Sequence, residues 1–220
     1  MKVTAVIPAY NEAATIGSVI EVLRRVPLVD EIIVVSDGSE DATAEVARKQ
    51  GARVIELAEN CGKGVAMVRG AREARGEVLI FLDADLEGLT PEHVENLLNP
   101  VLQGEAEMTI GVFARGRCLT DWAQVIAPHL SGQRAMPRAL FLGAGIEDSR
   151  FEVEVMLSTV ARRRGWRVKK VPLFNMTHVM KEEKRGFARG IIARMGMYKD
   201  IAWFFWRAGL KRHRYSRTSL

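Results

Sequence analysis

The 220-residue sequence predicts an α/β fold, a mostly parallel sheet flanked by helices. Three observations predict it. Apolar runs of strand length alternate with helical patterns through the first half, the rhythm of strand–helix–strand units whose sheet is parallel and covered on both faces. Glycine or proline punctuates the helix ends. Each strand is followed by a polar or glycine-rich loop, which collects chemistry at one edge of such a sheet.

The elements follow in order. Val3 to Ile7 is a strand, and Glu12 to Arg25 a helix. Glu31 to Val35 is the second strand, and Asp41 to Gln50 a helix stopped by Gly51, a residue suited to the position past a helix end. Arg53 to Leu57 is the third strand, followed by a helix from Lys63 to Arg75 that ends at Gly76. Val78 to Leu82 is the fourth. Thr90 then caps a helix with Pro91 at its first position. The second half is less regular. Met108 to Phe113 is a strand, Gly116 to Gly143 a mixed stretch, Glu152 to Arg164 a helix, Arg167 to Val171 strand-like, and Gly186 to Arg207 helical. No repeat or low-complexity linker divides the chain. One domain over 1–220 is expected, with a binding half at 1–110, a variable half at 111–206 and a tail at 207–220.

Composition narrows the function classes. At 48% apolar the chain can build one core. No uncharged apolar stretch reaches the roughly 18 residues of a spanning helix, and the N-terminal segment reads as a strand rather than a secretory signal. Cys61 and Cys118 lie far apart, arguing against a disulfide framework or a zinc site. A cytoplasmic location is expected. Net charge is +5, and without the five basic residues of 207–220 the basic and acidic counts balance at 27 each. Behind Trp203-Phe204-Phe205-Trp206, that tail could rest on the inner face of an anionic membrane. A solvated tail behind a helix with core aromatics is the alternative.

Asp83 and Asp85 carry the sharpest chemical signal. They follow the fully apolar Val78-Leu79-Ile80-Phe81-Leu82, whose burial fixes where the strand ends. Two close carboxylates repel unless a cation joins them, and Mg²⁺ or Mn²⁺ takes oxygen ligands while keeping positions open for phosphate. Glu87 can extend the cluster; a solvated acidic turn is the other reading. Lys63, between Gly62 and Gly64 at a helix start, can meet a phosphate, though the spacing is not a Walker loop. The absence of Gly-x-Gly-x-x-Gly after the first strand disfavours a dinucleotide site. Asp37 can accept from a base N–H and Tyr10 can flank a ring, or both can be turn structure.

Val6-Ile7-Pro8-Ala9-Tyr10-Asn11-Glu12, Val34-Val35-Ser36-Asp37-Gly38-Ser39-Glu40-Asp41, Asn60-Cys61-Gly62-Lys63-Gly64 and Phe81-Leu82-Asp83-Ala84-Asp85-Leu86 stand in the order and spacing of the family 2 glycosyltransferases. The chain resembles that family over about its first 110 residues, especially the dolichol-phosphate mannosyltransferase-like branch. The resemblance implies a GT-A, nucleotide-diphospho-sugar transferase-type fold. It implies Pro8, Tyr10, Glu12 and Asp37 around the nucleoside, Lys63 near the phosphates, and Asp83, Ala84 and Asp85 at the donor, the two acids on Mg²⁺ or Mn²⁺. One departure is Ser36-Asp37, where the family often has paired acids, which puts base identity in doubt.

The second half resembles the family more weakly. Leu130-Ser131-Gly132-Gln133-Arg134-Ala135 is similar to its acceptor-side Ser-Gly-x-Arg segment, implying Gln133 and Arg134 at the acceptor. Arg134 could hold an acceptor phosphate or pair with a surface acid. Gly143-Ala144-Gly145-Ile146-Glu147 resembles a segment of bacterial relatives of the glucosyl-3-phosphoglycerate synthase type, making Glu147 and Asp148 candidates, with Asp85, for catalytic work. His178 stands where those relatives carry a metal-binding histidine, giving a candidate ligand set of Asp83, Asp85, Glu87 and His178. Lys181 to Gly186 reads as a charged loop able to fold over a donor, or as a plain connector.

The expected activity is metal-dependent hexosyl transfer from a UDP- or GDP-sugar to a hydroxyl or phosphate acceptor, either a polyprenyl phosphate or a small phosphorylated molecule. Nucleotidyl transfer to a sugar phosphate and non-catalytic nucleotide-sugar binding are the rivals. Nucleic acid is disfavoured by the acidic edge, and homo-oligomerisation is left open.

Overall fold

The first strand, β1 (Val3–Ala9), is buried almost throughout, and so is β2 (Glu31–Asp37) beyond its first two residues. These central strands begin the sheet of a computed structural model that describes residues 1–114, 131–146 and 153–178. Further strands are β3 (Arg53–Leu57), β4 (Val78–Phe81), β5 (Leu86–Glu87), β6 (Met108–Ala114), β7 (Arg134–Pro137), β8 (Val168–Phe174) and β9 (Thr177–His178). The helices are α1 (Ile16–Arg24), α2 (Thr43–Lys49), α3 (Lys63–Glu73), α4 (Pro91–Leu102), α5 (Arg138–Leu142) and α6 (Val153–Arg163). Met1–His178 is a compact unit holding every described residue. The expectation of a single domain through residue 220 reaches beyond it.

Seven strands form one sheet in the order β3-β2-β1-β4-β7-β6-β8, and β5 pairs with β9 in a second, two-stranded sheet. Pairing is parallel at β1–β2, β1–β4, β2–β3 and β6–β8. Among the described strands of the large sheet, only β7 runs backwards, antiparallel to both β4 and β6. Alternate β1 residues serve opposite cores. Val3, Ala5 and Ile7 pack with Ile20 of α1 and Leu97 of α4, while Val6 packs with Met67 of α3 and Leu157 of α6. Helices therefore cover both faces, and side chains alternate between them as a pleated strand requires.

Differences from the sequence expectation sit at boundaries and in the second half. The first helix begins at Ile16, because Glu12–Thr15 is a turn in which Thr15 and Ile16 N–H donate to Glu12 O at 3.1 and 3.0 Å. Thr90 caps α4 as expected, and His93 completes a capping box. The mixed stretch contains β7 and α5, and the reversed β7 breaks the parallel pattern. Cys118, the charged loop at 181–186, the expected helix from Gly186, the aromatic run Trp203–Trp206 and the basic tail lie outside the described residues.

Candidate active site

The carboxyl ends of β1, β2 and β4 meet at one edge, joined there by the start of the reversed β7, where Phe81 pairs with Arg134. Pro8 is half-buried at the end of β1, and Tyr10 beyond it is 38% exposed. Glu12 is buried and tied into its turn: its N–H donates to Thr43 Oγ1 at 2.8 Å and its carboxylate accepts the Thr15 hydroxyl at 3.1 Å. Asn11 Oδ1 accepts from Glu40 N–H at 2.9 Å, locking the loop after β1 to the loop after β2.

Asp37 closes β2 and is buried. Cys61 and Gly62 N–H donate to its Oδ1 and Oδ2, each at 2.8 Å. This carboxylate builds the loop that delivers Lys63 to the first turn of α3.

Lys63 is the centre of the edge. Its Nζ lies 2.6 Å from Asp83 Oδ1 and 2.5 Å from Glu154 Oε1. Gln133 Nε2 donates to the other Asp83 oxygen at 2.8 Å. Burial works to discharge the Lys63 ammonium, but the two carboxylates outweigh it and raise its pKa above the ordinary lysine value. Gly132 lets the chain pass close by: a Cβ there would sit 2.5 Å from Asp83 Oδ1 and 2.7 Å from Lys63 Nζ and would push their ends aside.

Arg134 departs from a surface ion pair. It is fully buried, donating from Nε to Ser131 O at 2.9 Å and from Nη1 to Ser158 Oγ at 3.1 Å. Burial pulls its pKa down to about 10, with the charges of Glu154 and Asp83 resisting the fall. Two cations and two carboxylates thus share one enclosed corner, each offsetting desolvation that would be costly alone.

Glu154 was not anticipated from the sequence. It stands in the first turn of α6 with Val153, Leu157 and Ala161, all buried. The available signal was its spacing: an acid three and seven residues before Leu157 and Ala161 lies on the inward face of the helix. The anticipated acids Glu147 and Asp148 lie outside the described residues.

Ala84 is buried between Asp83 and Asp85, and Asp85 is half-buried. Asp83, Asp85 and Glu87 do not gather into a carboxylate cage; among the described residues no three His, Cys, Asp or Glu side chains are grouped to hold a metal. The reason is local: Asp83 is engaged by Lys63 and Gln133, and buried Leu86 separates Asp85 from exposed Glu87. The β5–β9 ladder pairs Leu86 with His178 and Glu87 with Thr177, bringing the backbone of His178 beside that of the acidic loop. Sparse oxygen and imidazole donors with coordination left over for phosphate are what Mg²⁺ or Mn²⁺ accepts. Asp85 and His178 are the residues of this edge whose donor types suit such an ion.

The model of glycosyl transferase family 2 matches residues 4–145. A glucosyl-3-phosphoglycerate synthase of Mycobacterium tuberculosis is 38% identical over 122 residues, covering 51% of this chain and 38% of the relative. A 4,4'-diaponeurosporenoate glycosyltransferase of Staphylococcus aureus is 37% identical over 108 residues, covering 46% and 29%. The chain thus spans well under half the length of these curated relatives. Among solved structures, the M. tuberculosis glucosyl-3-phosphoglycerate synthase with Mn²⁺, UDP-glucose and phosphoglyceric acid superposes with a TM-score of 0.68 at 30% identity, covering 81% of this chain and 71% of that one. The same synthase with Mg²⁺ and UDP gives 0.67. The fold is accordingly the GT-A glycosyltransferase type. With its family model matched from the first strand through the end of the reversed β7 and α5, the chain belongs to glycosyl transferase family 2.

Proposed function

We propose that this chain transfers a hexosyl group, glucose first among them, from a UDP-sugar to a small phosphorylated acceptor, with Mg²⁺ or Mn²⁺ bound at Asp85 and His178. The observation that carries it is the enclosed Lys63–Asp83–Gln133–Glu154 corner at the sheet edge. The synthase structures that superpose on the chain hold UDP-glucose, phosphoglyceric acid and Mn²⁺, which supports this donor and acceptor over GDP-sugars and polyprenyl phosphate.

When bound, the ion neutralises the diphosphate leaving group as the glycosidic bond breaks. The protein supplies the rest. Asp37 holds the amides of Cys61 and Gly62 so that Lys63 stands at the phosphate side of the edge. Asp83, held between Lys63 Nζ and Gln133 Nε2, is the acid assigned to the sugar side of the donor. Glu154, anchored by Lys63, is the side chain assigned to accept a hydrogen bond from the acceptor hydroxyl and take its proton, a role its contact with Lys63 at the same edge supports.

The decisive assay incubates the protein with UDP-glucose, 3-phosphoglycerate and Mn²⁺ and measures UDP release and the glucosylated acid. Turnover is expected, and substituting a polyprenyl phosphate should lower it. Absence of transfer with any UDP- or GDP-hexose, alongside retained UDP binding, would leave the non-catalytic reading. Pyrophosphate release from UTP and a sugar 1-phosphate would establish nucleotidyl transfer instead.

Asp37→Ala is expected to weaken UDP and UDP-glucose binding by similar factors, on the order of 1–3 kcal/mol, because two amides lose their acceptor. Calorimetric titration with unchanged affinity for UDP and GDP alike would remove Asp37 from the site.

A further inference from the structure

We propose that Ser131 and Gln133 form a directional hydrogen-bond relay that sets the plane of the Asp83 carboxylate, which makes Gln133 a positioning residue for the sugar side of the donor. This rests on the donor reading given above. The reversed β7 brings Gln133 to Asp83 across 50 residues of sequence. Phe81 pairs with Arg134, and the same antiparallel register carried two residues on sets Gly132 opposite Asp83, with Gln133 beside it. The Gln133 backbone is fixed from the other side, where its carbonyl accepts Gly111 N–H at 2.8 Å. A Cβ added at Gly111 would lie 3.1 Å from Gln133 Cβ, so the glutamine stem packs directly on the β6 backbone. Its side chain is fully buried.

The amide lies one way round. Asp83 Oδ1 faces the Lys63 ammonium at 2.6 Å, and a carboxylate paired in this manner accepts hydrogen bonds and gives none. The group 2.8 Å from Asp83 Oδ2 is therefore the donating Nε2. That turns Oε1 toward Ser131, whose hydroxyl donates to it at 2.8 Å. Gln133 N–H donates back to Ser131 Oγ at 3.4 Å, which leaves the hydroxyl proton directed at Oε1. The terminal torsion of an aspartate is broad, and Lys63, on a long flexible stem and shared with Glu154, does not fix it alone. Two bonds on separate oxygens do, and the one from Gln133 comes from the start of a strand held on both edges. Gln133 thus acts through Asp83 rather than on the acceptor itself.

The test is calorimetric titration of UDP and of UDP-glucose, each with Mn²⁺, on variants of the full chain. Gln133→Met keeps the buried volume and loses the donor. It should weaken UDP-glucose about tenfold, the loss expected for a hydrogen bond to a charged group, while UDP stays within about a factor of two. Gln133→Glu still accepts from Ser131 but sets a second carboxylate against Asp83, and should weaken UDP-glucose further than Gln133→Met does. Ser131→Ala should weaken UDP-glucose about threefold, and Ser131→Thr, which keeps the hydroxyl, should restore it; this pair carries the test if the Gln133 variants do not fold. Equal losses of UDP and UDP-glucose, or wild-type UDP-glucose affinity in Gln133→Met or Ser131→Ala, overturns the proposal. If the wild-type chain binds no UDP-glucose, the donor reading fails on its own. The relay is then decided by ¹⁵N spectra: the Gln133 side-chain amide signal should move in Ser131→Ala and stay in place in Ser131→Thr, and an unmoved signal in Ser131→Ala overturns it.

Discussion

Asp85→Ala is expected to abolish hexosyl transfer while leaving the fold intact. Asp85 is half-buried on the loop after β4, outside the apolar layers, so its removal subtracts the proposed ligand rather than a piece of core. Neutralising the departing diphosphate is worth several kcal/mol of transition-state stabilisation. Its loss should lower kcat/KM by about a thousandfold or more, at 1.36 kcal/mol per factor of ten. UDP release measured with and without EDTA checks this: EDTA should reduce wild type to the level of the variant and leave the variant unchanged. Near-normal turnover in Asp85→Ala, together with insensitivity of wild type to EDTA, would dismiss the metal mechanism.

Glu154→Ala is expected to produce the largest stability loss of any substitution at the edge. Glu154 is nearly buried, sits 2.5 Å from Lys63 Nζ and lends its charge to Arg134. Breaking an enclosed ion pair from one side costs about 3–5 kcal/mol, or a fall of about 10 °C in Tm for a chain of this size. The folded Lys63 pKa is raised, so its stabilising contribution is complete below its ordinary value of 10.5 and fades only as pH climbs through the folded one. Arg134, lowered to about 10, carries a cost at neutral pH that is relieved above that value. Between pH 6 and 9 neither cation titrates, and the Glu154→Ala deficit should stay constant across that window. Glu154→Gln keeps an acceptor for Lys63 and should lose less. A Glu154→Ala Tm equal to wild type would mean that solvent screens the whole corner.

The parallel half of the sheet was legible because its strands are nearly uninterrupted apolar runs, and Val78 to Leu82 marked the end of β4 to within a residue. The sequence of β7, Arg-Ala-Met-Pro, conceals a strand. It opens on a charged residue, ends on proline, and owes its place to the buried corner that receives Arg134. β5 and β9 are two residues each, too short for any period to register. At the site, loops following apolar strands pointed to Lys63, Asp83 and Asp85. They did not point to Glu154, whose partner Lys63 lies 91 residues away. Helix-face spacing would have located it; motif resemblance drew attention to Glu147 instead. Asp37 carries a role its residue type did not announce: both its oxygens hold the backbone that presents Lys63.

The reversed β7 also bears on how the chain is made. Among the described strands, β6 pairs in the sheet only with β7 and β8, both encoded after it. As the nascent chain emerges, β3, β2, β1 and β4 can assemble among themselves, but Met108–Ala114 has no ladder to join. Its shelter until then is α4, to which Thr109 Oγ1 donates at Leu97 O at 2.8 Å. An apolar strand with both edges open is a template for foreign pairing. Four residues, Arg134–Pro137, begin to end that exposure by sliding between β4 and β6 and covering the facing edge of each, and β8 then covers the other edge of β6. Substitutions that delay this insertion will therefore surface as poor recovery of soluble protein before they surface as lost activity.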